Sequence, residues 1–317
     1  KSTPLISAPN AGVKGCTPLG IALPLNLLLL ILNLSLHKSS LNKNIYTYKI
    51  HLASNPFLWH KFQFRKETVM SDHNTRFIEY AGLKLAYTIQ GNRGSEAIVM
   101  QHGWTSSKEA FSAYADAFVS EGYHCVSIDS LGHGESDKPT EAAFYSREER
   151  ANHIVEIMNK EGIDKAHFIG YSMGGWVACC MAEHQRNRLL SLMIGGHCPE
   201  TGTTEEVGGL KNGEDYPFER IMELYDFDWP EELIPAMKHT YDYLEDVKGH
   251  EQAVADSGVP VLLWKGRDEA IICEKGEEMA NRNGWTFFSV EGDHMQAALN
   301  HEPNLPHLIK FMRSINP

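Results

Sequence analysis

The sequence predicts an α/β fold: an eight-stranded, mostly parallel sheet flanked by helices, with an inserted helical lid. Two observations lead to this prediction. From Phe77 onwards, short apolar runs alternate with segments of helical spacing, which is typical of a parallel sheet covered on both faces. The chain also has 317 residues, 42% of them apolar and 22% charged, which is ample for a core of this kind.

Eight segments of the sequence are the predicted strands. The first two flank Gly82 and indicate a tight antiparallel hairpin, and the run A-I-V-M at 97–100 indicates a strand buried on both faces. The predicted strands are Phe77–Ala81, Leu83–Ile89, Ala97–Gln101, His124–Ile128, Ala166–Gly170, Leu189–Ile194, Pro260–Trp264 and Thr286–Val290. Helices are predicted at Phe111–Val119, Arg147–Asn159 and Met173–Ala182, and one more follows each of the last two strands.

The first 69 residues differ in character from the rest of the chain. They carry a net charge of +7, whereas residues 70–317 carry −19. We interpret residues 1–69 as a basic, poorly structured extension, or as sequence translated ahead of a start at Met70. Residues 19–36 are the one membrane candidate of the sequence. If they form a genuine anchor or signal, the protein is membrane-anchored or exported; otherwise it is expected in the cytoplasm.

Residues 197–255 interrupt the alternation of strands and helices. They contain no convincing strand and carry a net charge of −11. We predict that they form a lid that shapes substrate access, inserted between core segments 70–196 and 256–317. The aromatic side chains of this lid indicate a substrate with an apolar or aromatic group. They are Tyr216, Phe218, Tyr225, Phe227, Trp229, Tyr241 and Tyr243.

Charge and composition exclude several classes of protein. A body with a charge of −19 is a poor partner for nucleic acid and repels anionic substrates. No phosphate-binding loop, dinucleotide fingerprint or metal-ligand spacing is found in the sequence, so no cofactor and no metal are predicted. The six cysteines are sparse and form no C-x-x-C, so we expect reduced thiols. Cys179 and Cys180 are predicted core residues, and His197 and His250 are interpreted as structural or surface residues.

The motif with the clearest chemical meaning is Gly170-Tyr171-Ser172-Met173-Gly174, between a predicted strand and a predicted helix. In a G-x-S-x-G turn of this kind the serine has a strained backbone, and the flanking glycines avoid clashes with its side chain. The turn lifts the hydroxyl above the strand end, where the helix N-terminus favours developing negative charge. Ser172 is therefore the predicted nucleophile, with Gly170 and Gly174 as the glycines of its turn.

A serine hydroxyl is a weak nucleophile and needs a base that a carboxylate orients. His294 and Asp268 each come just after one of the last two predicted strands, so both are expected at the sheet edge where Ser172 lies. The order Ser172, Asp268, His294 is the one expected for this sheet. Asp293 and Glu269 adjoin these residues and are alternatives for the acid.

These motifs resemble the α/β-hydrolase superfamily, in its lid-bearing branch with a serine nucleophile, over roughly residues 76–316. The resemblance implies an oxyanion hole made by the backbone N–H groups of Trp104, in the run Gln101-His102-Gly103-Trp104, and of Met173. His102 is expected to stabilise its own loop by hydrogen bonding. The run at 127–139 also matches the family and is interpreted as turn structure. Its members interpreted in this way are Asp129, Gly132, His133, Gly134 and Ser136.

The resulting expectation is a serine hydrolase that cleaves neutral carboxylic esters, with short-to-medium or aromatic groups, through an acyl-enzyme. The resemblance implies that epoxide hydrolases and haloalkane dehalogenases of this fold have Asp where Ser172 stands, which argues against both. Lactonase, C–C bond hydrolase and perhydrolase activities stay open, as does a receptor-like member that binds a ligand without turnover. The expected partner is a small neutral ester or lactone, and the expected assembly is a monomer or a homodimer.

Overall fold

The computed structural model describes residues 75–201, 218, 219, 222, 229–244 and 246–315. The predicted extension at 1–69, its apolar segment at 19–36 and the candidate start at Met70 lie outside the described residues. Among the helices that the structure does describe, none combines the length and the apolar character needed to cross a bilayer.

All eight predicted strands are confirmed, each within two residues of its predicted bounds. They are β1 (Arg76–Tyr80), β2 (Leu83–Gln90), β3 (Ala97–Gln101), β4 (His124–Ile128), β5 (Ala166–Tyr171), β6 (Leu189–Gly195), β7 (Val261–Gly266) and β8 (Thr286–Val290). They form one sheet in the order β1-β2-β4-β3-β5-β6-β7-β8. The first two strands form the predicted antiparallel hairpin, β2 is antiparallel to β4, and all other pairs are parallel.

The three predicted helices are also confirmed, and further helices follow each of the later strands. The described helices are α1 (Ser112–Ser120), α2 (Arg147–Glu161), α3 (Met173–His184), α4 (Ile234–Leu244), α5 (His250–Asp256), α6 (Ala270–Asn283), α7 (His294–Leu299) and α8 (His301–Ile315). Ser146 precedes helix α2, and its hydroxyl accepts a hydrogen bond from a backbone N–H of the first turn. Gly162, in a left-handed conformation, follows the last residue of the helix. Both are common signals for the start and the end of a helix.

The apolar core lies on both faces of the sheet. Successive side chains of a strand point to opposite faces, and in β3 Val99 packs into one cluster whereas Ile98 and Met100 pack into the other. Helices α2 and α3 cover the first face, and α1 and α8 cover the second. The continuous apolar run of β3 is therefore explained by burial on two sides, as predicted.

The strand order reverses at β3, which lies between β4 and β5. In open parallel sheets, ligands bind in the crevice at the carboxyl ends of the strands, where such a reversal occurs. Since β3 ends at Gln101 and β5 ends at Tyr171, the loop at 102–104 and Ser172 meet at this crevice.

Between the end of β6 and the start of β7, the described residues form helices α4 and α5 and no strand. Helix α5 packs against α3. The buried guanidinium of Arg150, on α2, donates hydrogen bonds to Thr240 Oγ1 of α4 at 2.9 Å and to the backbone oxygen of Leu131 at 3.0 Å. The described part of the predicted insertion is thus helical and docked on the core, and both its action as a lid and its bounds at 197–255 stay predictions.

Candidate active site

Ser172 occupies the turn between β5 and α3. Its backbone has φ 56° and ψ −115°, a conformation that is strained for a residue with a side chain. A Cβ on Gly170 would lie 1.9 Å from the backbone oxygen of Gly174, and a Cβ on Gly174 would lie 2.0 Å from that of Gln101. Strand and helix approach so closely that only glycine fits at either position, which is the geometry that the motif predicts.

The segment around Gly195 and Gly196 brings Ser172 and His294 to one place. The backbone N–H of Ser172 donates to the oxygen of Gly195 at 2.8 Å, and a Cβ on Gly196 would lie 2.9 Å from Cε1 of His294. The hydroxyl of Tyr171 donates to the backbone oxygen of His294 at 2.7 Å, and the two rings lie 5.1 Å apart between centroids. The predicted nucleophile and base therefore share the same sheet edge.

The acid that contacts His294 is Glu269, and the predicted pairing with Asp268 is wrong. Oε1 of Glu269 accepts a hydrogen bond from Nδ1 of His294, and the two side chains are 5% and 14% exposed, respectively. Oε2 of Glu269 accepts from the backbone N–H of Gly266 at 3.0 Å, so both carboxylate oxygens are held. Asp268, in contrast, is exposed and lines a surface depression beside Arg267.

The turn after β7 explains why Glu269, and not Asp268, contacts His294. The backbone N–H of Glu269 donates to Gly266, whereas that of Asp268 donates to Gly292, so the two residues face different surroundings. Asp293, the other alternative, caps α7: its carboxylate accepts from the third residue of the helix at 2.9 Å in a reciprocal capping box. The orientation of side chains within so short a turn has no signature in sequence spacing.

Electrostatic attraction keeps the Glu269 carboxylate ionised. Burial by itself raises the pKa of Glu269, because a buried charge loses hydration. The charge of protonated His294 and its hydrogen bond lower this pKa, and so do the charge of Lys265 and the N–H of Gly266. These attractions outweigh burial, and the pKa of Glu269 lies below its usual value. Such a carboxylate favours the His294 tautomer with a proton on Nδ1, in which Nε2 is the proton acceptor.

The loop after β3 lies beside Ser172, since a Cβ on Gly103 would be 3.3 Å from Cβ of Ser172. The buried ring of His102 holds this loop: its Nε2 accepts from the backbone N–H of Ser130 at 3.1 Å, and its Nδ1 donates to the oxygen of Gly103 at 2.7 Å. A backbone donor at Nε2 requires a neutral ring, and burial lowers the pKa of His102 accordingly. The predicted role of His102 in its own loop is confirmed.

The two predicted oxyanion donors come from this loop and from the start of α3. Met173 is the first residue of α3, so its N–H belongs to the groups that a helix leaves without an intrahelical acceptor. The dipole of the helix adds partial positive charge at the same end. Trp104 directly follows Gly103, which lies next to Ser172. An oxygen bound at Ser172 would have these two backbone groups nearby.

The run at 127–139 forms a network of turns. The buried carboxylate of Asp129 accepts from the backbone N–H of Lys108 at 2.7 Å, from its Nζ at 2.9 Å, and from the N–H of Glu135 at 2.9 Å. Gly134 has φ +49°, and a Cβ there would lie 2.2 Å from this carboxylate. The hydroxyl of Ser136 donates to the backbone oxygen of Asp129 at 2.7 Å. The contacts of Asp129 are structural, as the interpretation of this run as turns requires.

Aromatic side chains from the predicted lid close over Trp104. Ring centroids of Phe218, Trp229 and Tyr241 lie 6.4, 5.5 and 5.5 Å from that of Trp104. Together with Met237 these three residues form a separate apolar cluster, against which Trp104 packs. The side chain of a predicted oxyanion residue therefore forms part of an aromatic wall.

Four cysteines with described side chains are buried, free thiols, which confirms the predicted reduced state for these four. They are Cys125, Cys179, Cys180 and Cys198. One of them has surroundings that the sequence did not indicate: Sγ of Cys179 and ring nitrogens of His197 and His250 all lie within 4.8 Å of one another. The prediction of no metal ligands rested on spacing along the chain, and these three residues come from α3, the segment after β6, and α5.

Comparison with known proteins gives matches in sequence and in fold. The family model described as alpha/beta hydrolase fold matches residues 96–231. A Bacillus subtilis (strain 168) protein named as a 2-succinyl-6-hydroxy-2,4-cyclohexadiene-1-carboxylate synthase is 33% identical over 125 residues, 39% of this chain and 45% of that protein. Lipase 3 of Moraxella sp. (strain TA144) is 32% identical over 115 residues, 36% of each chain. The chain therefore matches less than half the length of these relatives.

Among solved structures, a carboxylesterase of Nitrososphaera gargenis superposes with a TM-score of 0.60 at 14% identity, over 76% of this chain and 98% of that one. The predicted resemblance to the α/β-hydrolase superfamily is confirmed, and the chain has the α/β-hydrolase fold.

Proposed function

We propose that this protein is a serine hydrolase that cleaves neutral carboxylic esters through an acyl-enzyme, with Ser172 as nucleophile, His294 as base and Glu269 as the orienting acid. One observation carries the proposal: a serine in a strained strand-to-helix turn shares a sheet edge with a histidine bonded to a buried carboxylate. Two of the similar proteins are named as a lipase and a carboxylesterase, which supports ester chemistry.

The first half of the proposed cycle forms the acyl-enzyme. Oγ of Ser172 attacks the ester carbonyl carbon while Nε2 of His294 takes the hydroxyl proton. The carbonyl oxygen becomes an anion, which the backbone N–H groups of Trp104 and Met173 stabilise. The C–O bond to the leaving group then breaks, and His294 passes its proton to the departing alcohol. Glu269 stabilises the imidazolium that exists between these two transfers.

The second half repeats the same chemistry with water. His294 takes a proton from a water molecule, whose oxygen attacks the acyl carbon. The bond to Oγ of Ser172 breaks, the proton returns to Oγ, and the carboxylic acid leaves. No step consumes a co-reactant other than water.

The proposed substrate is neutral and has an apolar or aromatic group. The predicted lid has a charge of −11, which disfavours anionic substrates. The cluster of Phe218, Trp229 and Tyr241 packs against Trp104, which directly follows the residue beside Ser172, and it supplies apolar side chains in that region. Pockets of this kind orient a substrate by apolar contact and leave the polar groups for the reacting centre.

Hydrolysis of p-nitrophenyl esters from acetate to dodecanoate, with the full chain, tests the proposal. We expect turnover with an optimum in the series, and Ser172→Ala should lower kcat by about 10⁶-fold, the order found for loss of a catalytic serine. A fluorophosphonate probe, which phosphonylates activated serines with loss of fluoride, should label the peptide that contains Ser172.

Ser107→Ala is the matched control, because Ser107 lies on the adjoining loop and its hydroxyl contacts Glu109. It should keep both turnover and labelling. A folded protein that neither turns over any ester nor reacts with the probe would contradict the proposal and favour the receptor-like alternative. Turnover that survives Ser172→Ala would contradict the nucleophile assignment.

A further inference from the structure

A compact cluster of soft and borderline ligands lies beneath the candidate active site. Cys179 belongs to α3, the helix that starts at the nucleophile turn, His197 follows β6, and His250 begins α5. Sγ of Cys179 and one nitrogen of each imidazole lie within 4.8 Å of one another. All three residues are fully buried. A Cβ on Gly175 would lie 2.6 Å from Cβ of His197, so the glycine lets His197 approach the helix.

The two histidines lack the hydrogen bonds that buried polar groups usually make. In the part of the chain that the structure describes, neither Nδ1 nor Nε2 of His197 has a partner, and the same holds for His250. Buried polar atoms are rarely left in this state, because their desolvation is not compensated. A metal ion bound by Sγ of Cys179 and by one nitrogen of each ring would give two of these four nitrogens a partner.

All three side chains can donate a lone pair to a metal ion. A neutral imidazole has one on its unprotonated ring nitrogen, and a cysteine provides a thiolate once its proton has left.

We propose that Cys179, His197 and His250 form a buried, three-coordinate site for a soft monovalent cation of the Cu(I) type. Thiolate and imidazole are ligands that Cu(I) accepts, and a trigonal set of one sulfur and two nitrogens needs no added water. Ligand atoms at about 2.0–2.3 Å from one ion are roughly 3.5–4 Å apart, so small side-chain rotations suffice to close the site.

Coordination number and burial favour a monovalent over a divalent ion. The described cluster offers three ligand side chains, all of them fully buried, and a net charge is costly in such a place. A Cu(I) ion with one thiolate is neutral, whereas Zn(II) with the same ligands keeps a net positive charge and also requires a fourth ligand. On binding, the S–H bond of Cys179 breaks, a sulfur–metal bond forms, and the proton leaves to solvent.

The test is anaerobic titration of the reduced full chain with Cu(I), presented as its bicinchoninate complex, together with copper X-ray absorption of the loaded protein. We expect one Cu(I) per chain and a first shell of one sulfur and two nitrogens. A ligand that binds only the folded state raises Tm, here by roughly 5–10 °C at a hundredfold excess over Kd.

Two matched pairs of variants assign the ligands. Cys179→Ser should lose the bound Cu(I), whereas Cys180→Ser, at the neighbouring buried cysteine, should keep it. His250→Gln should lower affinity at least tenfold, whereas His153→Gln, at a buried histidine outside the cluster, should not change it. Circular dichroism before loading checks that each variant is folded. The X-ray absorption spectrum of the unaltered protein tests the ligand set independently of any variant.

Three results would overturn the proposal. The first is the absence of stoichiometric Cu(I) binding by the folded, reduced chain. The second is equal loss of binding in the Cys179 and Cys180 variants, which would indicate non-specific thiol capture. The third is a preference for Zn(II) over Cu(I) with the same residue dependence, which would refute the monovalent assignment. Since metal content is measured without substrate, failure here is distinct from failure of the esterase proposal.

Discussion

Separate substitution of two neighbouring acidic residues, Glu269 and Asp268, is the sharpest test of the candidate site. Glu269→Gln removes the charge that faces His294 and preserves the shape of the side chain. The amide can present its NH₂ group to Nδ1 and so stabilise the wrong imidazole tautomer. Loss of the triad acid in serine hydrolases lowers kcat by about 10⁴, or about 5.5 kcal/mol of transition-state stabilisation, and we expect a loss of that order here. Asp268→Asn should change kcat less than about threefold, since the exposed Asp268 does not form the contact with Nδ1.

The assay is kcat and KM for a p-nitrophenyl ester, measured for both variants at a pH where the unaltered protein is most active. Glu269→Asp, which keeps the charge on a shorter side chain, should recover part of the loss. The reasoning is refuted if Asp268→Asn causes the large loss and Glu269→Gln does not. A loss in KM alone would also contradict it, because an orienting acid acts on the chemical step.

The same residue should give a defined pH dependence of stability. The pKa of Glu269 is lowered in the folded protein, so its ionised form stabilises the fold at pH values above the unfolded pKa, about 4.3. This contribution is lost as the pH falls through the lowered folded value. Urea unfolding should therefore show Glu269→Gln as destabilising at pH 7, and the difference from the unaltered protein should shrink in acid. An equal difference at both pH values would contradict the assigned cause.

Three further predictions concern the surroundings of the site. Gly134→Ala should lower the free energy of unfolding by about 2–4 kcal/mol, because the added Cβ clashes with Asp129 and the backbone has a strained positive φ. Gly82→Ala, where φ is +80° and the surrounding space is open, should lower it by only about 1 kcal/mol. Urea unfolding measures both values. Tyr171→Phe removes a 2.7 Å hydrogen bond to the backbone of the candidate base and should lower kcat/KM by up to about tenfold, and an unchanged value would exclude that positioning role. Burial lowers the pKa of His153 to about 3, so the folded protein favours its neutral form. The free energy of unfolding should therefore fall by roughly 1.4 kcal/mol per pH unit below about 6.5. His153→Gln should reduce that slope in urea unfolding.

The fold was predictable because its signals are local and repeated. Each strand of the sheet is a short segment with apolar or aromatic residues between turn residues, and each lies within two residues of its predicted bounds. The strained turn at Ser172 was predictable for a related reason. Gly170, Ser172 and Gly174 lie within one turn, so the constraint that joins them is visible as a short motif.

The acid and the candidate metal ligands were not predictable in the same way. Asp268 and Glu269 are equally plausible by sequence position, and only the hydrogen bonds of the turn after β7 separate them. Cys179, His197 and His250 are distant along the chain and meet because α3 and α5 pack together. Contacts that arise from packing between helices and strands give no recognisable spacing of residues in the sequence.

The close approach of strand and helix at Gly170 and Gly174 limits how this protein could acquire new specificity. The position of Ser172 is set by contacts between backbones, and no side chain can be added at either glycine without shifting this turn. Variation that preserves the chemistry must therefore accumulate elsewhere, and the aromatic wall on Trp104 is the adjoining surface built from replaceable side chains. Substitutions in that wall would change the surface around Trp104 and leave the turn at Ser172 in place.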